Sequence, residues 1–209
     1  MAPDTPAAVL PVSKRKYTDL TIRDAMLIVP AREFTTWDVT SAPVEPGVYL
    51  REAIVRLDYF DLVGSEAAKL LLIDAVLLEI LPRHGRLKAW KGEPIETDTL
   101  TGFVDYLIAP KRAYLEAPLL CIVEAKKDDF ESGEIQCVAE MAACRWNNTR
   151  AGIIADVYGM VSNGDGWQFY ALRTDNTIHK SRLFAIGLLP ELLGVVDAIC
   201  AECARHVAP

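Results

Sequence analysis

The chain has 209 residues, of which 51% are hydrophobic, 24% charged and 8% aromatic. These fractions are ordinary for a folded globular protein and exclude the collagen-like, disordered and disulfide-scaffold classes. Against 29 Asp and Glu stand 22 Lys and Arg, and the formal net charge is −7. That charge excludes a globally basic nucleic-acid-binding protein but still allows a local basic face.

The cysteine pattern and the start of the chain bear on location. Five cysteines occur without the regular spacing of a disulfide framework, which predicts reduced thiols. The first residues carry neither the basic nor the apolar region of a secretory leader. The longest apolar run, 70–81, is interrupted by Asp74 and Glu79 and is too short to cross a bilayer. We therefore expect a cytoplasmic protein without membrane contact.

The first third of the chain contains few clear signals. Its first dozen residues are rich in Ala and Pro, and we expect a disordered tail over 1–16. Residues 17–209 are expected to form a single domain. Because Pro46 and Gly47 are typical of turns, the segment 17–64 is predicted to consist of short strands and turns.

Ser65 begins the clearest predicted helix. It is a typical N-cap residue, and Glu66 lies in the first turn, where the helix dipole favours a carboxylate. The run from Ala67 to Leu81 is apolar on nearly all sides, which predicts a buried helix that ends at Pro82.

A basic segment follows this helix. It contains four cations with no acidic residue between them: Arg83, Arg86, Lys88 and Lys91. Such a segment is most often a solvated loop, but the phosphate contacts of a DNA-binding protein need cations of this kind. Both interpretations, an exposed loop and a DNA-contacting surface, stay open.

The second half of the chain alternates strand and helix patterns. The patterns predict strands over 103–108 and 119–123, a helix over 134–146, a hairpin around Asn163 and Gly164, and a helix over 190–206. The run 119–123 is apolar throughout, as in the centre of a sheet. This order predicts a mixed α/β domain in which helices flank a central sheet.

Three charged residues stand at strand positions. Asp105 lies inside one predicted strand, and Glu124 and Lys126 stand two positions apart at the end of the next, on one face. If the strands are neighbours, Asp105 meets Glu124, and a hard cation such as Mg²⁺ or Mn²⁺ relieves the repulsion of the two carboxylates. Lys126 could then orient or activate a water, or stabilise a phosphorane-like transition state. Gln136 could reach the same point from the following helix.

These residues resemble a known pattern. The segments Gly102-Phe-Val-Asp105 and Ile122-Val-Glu124-Ala-Lys126, followed by Gln136 on a helix, resemble the PD-(D/E)xK nuclease superfamily, which is also called restriction-endonuclease-like. The helix start at Ser65-Glu66 is similar to the first helix of that family. The predicted hairpin resembles that of the N-terminal nuclease domains of type I restriction subunits and of small bacterial relatives.

The resemblance implies a restriction-endonuclease-like fold and hydrolysis of DNA that depends on Mg²⁺ or Mn²⁺. It implies that Asp105 and Glu124 are metal ligands, with the Ala125 carbonyl as a third. Glu66 would be a direct or outer ligand of the same metal. Lys126 would be the catalytic lysine.

Further positions of the pattern are matched less evenly. The resemblance makes Gln136 an active-site residue on its helix. Four residues later the RecB-like branch has Tyr, whereas this chain has Glu140, which speaks against that branch and its exonuclease activity. Val104 stands where the name of the motif has Pro.

A second class of function stays open. The chain has no evident DNA-recognition domain, and the acidic residues of 128–131 beside the site would repel DNA. The fold could therefore serve as a non-catalytic accessory or protein-binding module in a defence or mobile-element system, with Glu124 and Lys126 as a mere ion pair. The apolar C-terminal segment 188–199 would then be a docking or dimer face, and two-fold homodimers are common.

Overall fold

The computed structural model describes residues 13–62, 64–126 and 130–208. Within them lie five α-helices and nine strands, besides short 3-10 turns. The helices are α1 (Ile22–Ile28), α2 (Val48–Leu57), α3 (Glu66–Ile80), α4 (Phe130–Arg150) and α5 (Leu189–Arg205). The strands are β1 (Arg15–Lys16), β2 (Phe34–Trp37), β3 (Leu87–Glu96), β4 (Leu100–Pro110), β5 (Cys121–Ala125), β6 (Val157–Ser162), β7 (Gly166–Leu172), β8 (Ile178–Ser181) and β9 (Phe184–Ala185).

The described strands form one mixed sheet. Its main path runs β1-β4-β5-β6-β7-β8-β2, with β3 paired to β4 and β9 paired to β7. β4 is antiparallel to β3 and β5, whereas β5 is parallel to β6, and β6 is antiparallel to β7. A parallel pair needs a crossover connection, and α4 lies in the connection from β5 to β6. The predicted class, a mixed α/β protein with a central sheet, is confirmed.

Helices cover both faces of this sheet. Alternate residues of β5 enter two buried clusters, Val123 on one face and Ile122 on the other. The first cluster includes α3 and α5, for example through Leu193, and the second includes α1 and α4, for example through Met141. Every residue of β5 is buried as a result, as its continuous apolar run predicts.

Asn148, near the end of α4, holds Leu119, which lies two residues before β5. Its Oδ1 accepts a hydrogen bond from the N–H of Leu119 at 2.7 Å, and its Nδ2 donates to the carbonyl of the same residue at 2.8 Å. Asn148 is buried, so these two bonds satisfy an amide that would otherwise cost free energy.

Several predicted elements are confirmed. α3 begins after Ser65, whose hydroxyl accepts a hydrogen bond from the N–H of Ala68 at 3.2 Å. α4, α5, β4 and β5 overlap their predicted ranges. The β6–β7 hairpin is closed by Asn163, whose side chain accepts from the N–H of Gly166 at 2.9 Å. Gly164 between them has a φ of 92°, a conformation that favours glycine.

The N-terminal part corrects two predictions. Arg15 and Lys16 form β1 beside β4, so the predicted tail of 1–16 is wrong for them, and residues 1–12 lie outside the described residues. The segment 17–64, predicted as short strands and turns, contains α1 and α2 in addition to β2. α1 has only 7 residues and depends on a capping box between Thr21 and Asp24, which is a local signal without apolar periodicity.

The basic segment and the C-terminal helix correct two more. The predicted loop of 83–91 continues into β3, an edge strand whose residues are mostly exposed or half-buried, so it shows no clear alternation. In the accessory-module alternative, the apolar segment 188–199, which lies mainly in α5, would be a docking or dimer face. Its apolar residues Leu192, Val196 and Ile199 instead pack into the core of this chain.

All five cysteines are buried and free, in agreement with the predicted reduced thiols. Cys200 and Cys203 pack in the core on α5. Over the described ranges, no helix combines the length and the apolar content that a bilayer crossing needs.

Candidate functional site

The site lies where β4 and β5 run side by side. Tyr106 pairs with Val123 in antiparallel register, which places Asp105 beside Glu124. The carboxylate of Asp105 accepts a hydrogen bond from the N–H of Ala125, with 2.8 Å between Oδ2 and N. The N–H of Asp105 lies 3.5 Å from Oε1 of Glu124. The structure therefore brings the two acidic residues together, as their strand positions predict.

Lys126 connects the end of β5 with α4. Its Nζ lies 3.3 Å from Oε2 of Glu124 and donates a hydrogen bond to Oε1 of Gln136 at 2.9 Å. Its main-chain N–H donates to the carbonyl of Ser162 at 2.8 Å, which holds Lys126 beside β6. Gln136 thus reaches the site from the helix, as predicted.

The ammonium group of Lys126 is held in its charged form. Burial on its own would lower the pKa of Lys126, but Glu124 outweighs this effect, Glu66 and Asp105 add to it, and the pKa rises above its usual value. Glu66 is exposed in the first turn of α3. Its negative charge favours the charged form of Lys126.

Two buried carboxyl groups lie at the centre of the site. Glu124 is 1% exposed and Glu140 is 0% exposed. Burial raises the pKa of Glu124 to about 7, an increase to which Asp105 adds and which contacts with Glu140 and Lys126 oppose. Burial, and after it the nearby Glu124, holds the pKa of Glu140 well above its usual range. Glu140 accepts a hydrogen bond at Oε1 from Nε2 of Gln136 at 2.9 Å.

Some oxygen atoms of the site are of the type that holds a hard divalent cation. Asp105 and Glu124 would contribute carboxylate oxygens and Ala125 a main-chain carbonyl, and Mg²⁺ is usually held by one or two carboxylates together with water. The second oxygen of Glu140, Oε2, is buried without a hydrogen-bond partner among the described residues. Within the same residues, no group of three or more His, Cys, Asp or Glu side chains is arranged to hold a metal. Main-chain and water oxygens would therefore have to complete the coordination.

Three of the four predicted DNA-contacting cations are engaged within the protein. Their partners are carboxylates or a main-chain carbonyl: Arg83 pairs with Asp197 at 2.8 Å, Arg86 with the carbonyl of Val207 at 2.9 Å, and Lys91 with Asp74 at 2.8 Å. The fourth, Lys88, lies over the ring of Trp90, 3.7 Å from its centroid. The four cations therefore do not form one surface of unpaired charge.

The sequence alone did not assign Glu140 to the site, although Glu140 binds Gln136 there. Its spacing of four from Gln136 predicts a contact on one helix face, but the family pattern marked it only as a departure. The acidic residues of 128–131 are only partly described. Asp128 and Asp129 lie outside the described residues, and Glu131 is exposed in the first turn of α4.

No protein-family model and no curated protein matches this chain. Its function therefore has to be argued from the arrangement of Asp105, Glu124, Lys126 and Gln136.

Proposed function

We propose that this chain is a restriction-endonuclease-like nuclease that hydrolyses phosphodiester bonds of DNA with Mg²⁺ or Mn²⁺. One observation carries the proposal. Four side chains from three elements meet beside the end of β5: Asp105, Glu124, Lys126 and Gln136. Oxygen ligands next to a fixed cation are the groups that metal-assisted hydrolysis of a phosphodiester requires. A mixed sheet with helices on both faces agrees with the proposed fold.

Asp105 and Glu124 would hold the metal ion, with the Ala125 carbonyl and the carboxylate of Glu66 as further ligands. Held by these residues, a Mg²⁺ ion would supply Lewis-acid chemistry, that is, polarisation of a phosphate and activation of a water. The burial of Glu124 supports its role as a metal ligand. A buried carboxylate needs positive charge beside it to stay ionised at neutral pH. The hydrogen bond from Ala125 to Asp105 fixes the second carboxylate relative to β5.

Lys126 would stabilise negative charge on the phosphate or orient the attacking water. Beside the carboxylate of Glu124 the amine of Lys126 is held in its charged form, and an ammonium group donates hydrogen bonds to a phosphate or a water. Gln136 positions the ammonium group, because its Oε1 accepts from Lys126 while its Nε2 is bonded to Glu140. A donor fixed in this way needs no reorganisation when charge develops in the transition state.

A different observation favours a second candidate, the non-catalytic accessory or protein-binding module of a defence or mobile-element system. α2 and the turn after it expose large apolar side chains: Tyr49, Val55 and Tyr59 are exposed by 57%, 72% and 90%. Several large apolar side chains exposed close together in the chain favour contact with another protein. In this alternative Lys126 and shared protons would neutralise the site carboxylates, and no metal would be needed.

Thermal unfolding with Mg²⁺ or Mn²⁺, combined with cleavage of DNA, tests the proposal. A cation that binds only the folded chain stabilises it by about 2.7 kcal/mol at a hundred times its dissociation constant. We expect this stabilisation in the natural chain and in Glu45→Ala, an exposed acidic control, and its loss in Glu124→Ala. Cleavage should require the metal and should be absent from Glu124→Ala.

The two candidate functions predict opposite results. Metal-dependent cleavage by the natural chain, lost with Glu124, supports the nuclease. If neither stabilisation by metal nor cleavage is found with single-stranded and duplex DNA, the nuclease proposal is wrong and the accessory module takes its place.

A further inference from the structure

One edge of β4 is open next to the candidate site. Thr101 pairs with Lys16 of β1, and Tyr106 pairs with Val123 of β5. β3 occupies the other edge of β4 over the same range, so β1 and β5 share this edge. The residues between them, 102–105, have no strand partner on this side in the described part of the chain. The edge stays open because the chain leaves the sheet after Lys16 and forms a 3-10 turn (Tyr17–Asp19).

Tyr17 fills the inner part of this opening. It is only 2% exposed, and its hydroxyl donates to the carbonyl of Ile95 at 2.9 Å. Its ring lies against Gly102 so closely that a Cβ atom there would overlap the ring. An aromatic surface therefore lies where another strand would otherwise continue the sheet.

A cavity of about 400 Å³ lies at this opening. Lys16, Tyr17 and Phe103 line it together with Gln136 and two threonines, Thr18 and Thr101. Gln136 is shared with the candidate site, where it accepts the hydrogen bond from Lys126. A molecule bound in the cavity would therefore lie directly beside the proposed point of cleavage.

The lining of the cavity is suited to a nucleotide. Phe103 is 70% exposed, so its ring is accessible to a ligand. Lys16 is exposed, and its side chain makes no ion pair or hydrogen bond within the described residues. An exposed aromatic ring stacks on a base of any type, and a nearby ammonium group pairs with a phosphate.

Glu96, an acidic residue next to the cavity, does not oppose this ligand. Glu96, which accepts a hydrogen bond from the Thr101 hydroxyl, is paired with Lys14 at 2.6 Å. Its negative charge is thereby balanced. Lys16 is left to interact with a ligand.

We propose that this cavity binds one unstacked nucleotide of single-stranded DNA, with its base on Phe103 and a phosphate on Lys16. The bases of a duplex are stacked and paired and cannot enter a cavity of this kind without being extruded. The inference rests on the proposed function, because it assigns the substrate class of that site. It makes single-stranded or locally opened DNA the substrate and places the cleaved phosphate next to the bound nucleotide.

Fluorescence anisotropy tests the inference. It measures the binding of a fluorescent oligothymidylate to the full chain, with Ca²⁺ in place of Mg²⁺. We expect Phe103→Ala to weaken binding by roughly tenfold. Lys16→Ala should weaken it too and should reduce the slope of log affinity against log salt by about 0.7. Tyr114→Ala and Lys111→Ala are matched controls, because both side chains are exposed beyond the opposite end of β4. They should bind like the natural chain.

The outcomes separate this inference from the proposed function. Equal affinity for duplex and single strand, an unchanged affinity of Phe103→Ala, or no binding of either DNA overturns the inference, whether or not the chain cleaves duplex DNA. Weaker binding by Phe103→Ala in a chain that never cleaves DNA supports the cavity as a binding site and overturns only the nuclease.

Discussion

Glu140 lies one helical turn after Gln136 and accepts a hydrogen bond from its side-chain amide, with 2.9 Å between Nε2 and Oε1. Since Oε1 of Gln136 accepts from Lys126, a continuous chain of hydrogen bonds leads from the ammonium group to a fully buried carboxyl. A carboxyl in such a place is more stable with its proton than without it. The amide orientation of Gln136, and with it the position of Lys126, therefore depends on Glu140.

Glu140→Gln should change how stability depends on pH. The raised pKa of Glu140 means that the folded chain holds a proton that the unfolded chain releases near pH 4.3. This contribution to stability is present at low pH and is lost as pH rises towards the folded pKa. Glu124, whose pKa is raised to about 7, acts in the same direction. We expect melting temperatures without metal to fall between about pH 5 and about pH 8, and to fall less in Glu140→Gln.

Glu131→Gln is the matched control, because Glu131 is an exposed glutamate on the same helix. It should reproduce the pH dependence of the natural chain. Parallel curves for Glu140→Gln and the natural chain would contradict a protonated Glu140.

Lys126→Ala should abolish cleavage without abolishing metal binding. Loss of one donor that stabilises a transition-state charge lowers kcat by about 10²–10³. The variant will be less stable without metal, because Glu124 then loses its positive neighbour at 3.3 Å. Added Mn²⁺ should restore part of that stability, since Asp105 and Glu124 remain. Cleavage at the natural rate would remove Lys126 from the mechanism.

Asp105→Asn and Asp105→Ala should differ in stability and agree in activity. Asn keeps an oxygen that accepts from the N–H of Ala125 but lacks the charge that a metal needs. Ala loses both and should cost about 1–2 kcal/mol more than Asn in the free energy of unfolding. Chemical denaturation and stabilisation by Mn²⁺ separate the two effects. Metal stabilisation that survives in Asp105→Asn would show that Asp105 is not a ligand.

Among the predicted DNA-contacting cations, Lys88 should contribute more to binding than Lys91. Lys91 is already paired with Asp74, whereas Lys88 contacts only the ring of Trp90 among the described residues. Lys88→Ala should therefore lower the salt dependence of DNA binding more than Lys91→Ala does. Equal effects would show that the ion pair opens when DNA binds.

Gly102→Ala should destabilise the fold and close the cavity. A methyl group at this position overlaps the ring of Tyr17, which is buried and hydrogen-bonded. Overpacking of this kind costs about 1–3 kcal/mol. Gly85→Ala is the control, because no atom lies within 4 Å of its added Cβ. Equal unfolding free energies for the two variants would contradict the close contact.

The elements that the sequence predicted well are those with strong local signals. β5 is a continuous apolar run, α3 has a capping serine followed by apolar residues, and the β6–β7 hairpin has an Asn163-Gly164 turn. The site residues on these elements were predictable for the same reason. Glu124 and Lys126 differ by two strand positions, and Gln136 lies on the helix that follows.

The elements that the sequence missed depend on distant parts of the chain. β3 contains Gly92 and Pro94 and lies at an edge, so it forms mainly because β4 pairs with it. The opening at Gly102 exists because β1 ends at Lys16, far away in sequence. The raised pKa of Glu140 follows from burial, which no local pattern reports. Long-range pairing and burial, rather than local propensity, decide these features.

The contact between Asn148 and Leu119 limits how the length of α4 can change. It anchors α4 at Leu119, and Gln136 anchors the same helix at Lys126. Asn148 lies twelve positions after Gln136 along the helix, a span of about 18 Å. The helix is therefore held beside β5 at two points, and its length between them determines whether Gln136 can reach Lys126. Insertions inside α4 between the anchors should disrupt the site, whereas changes beyond Asn148 leave that measure intact.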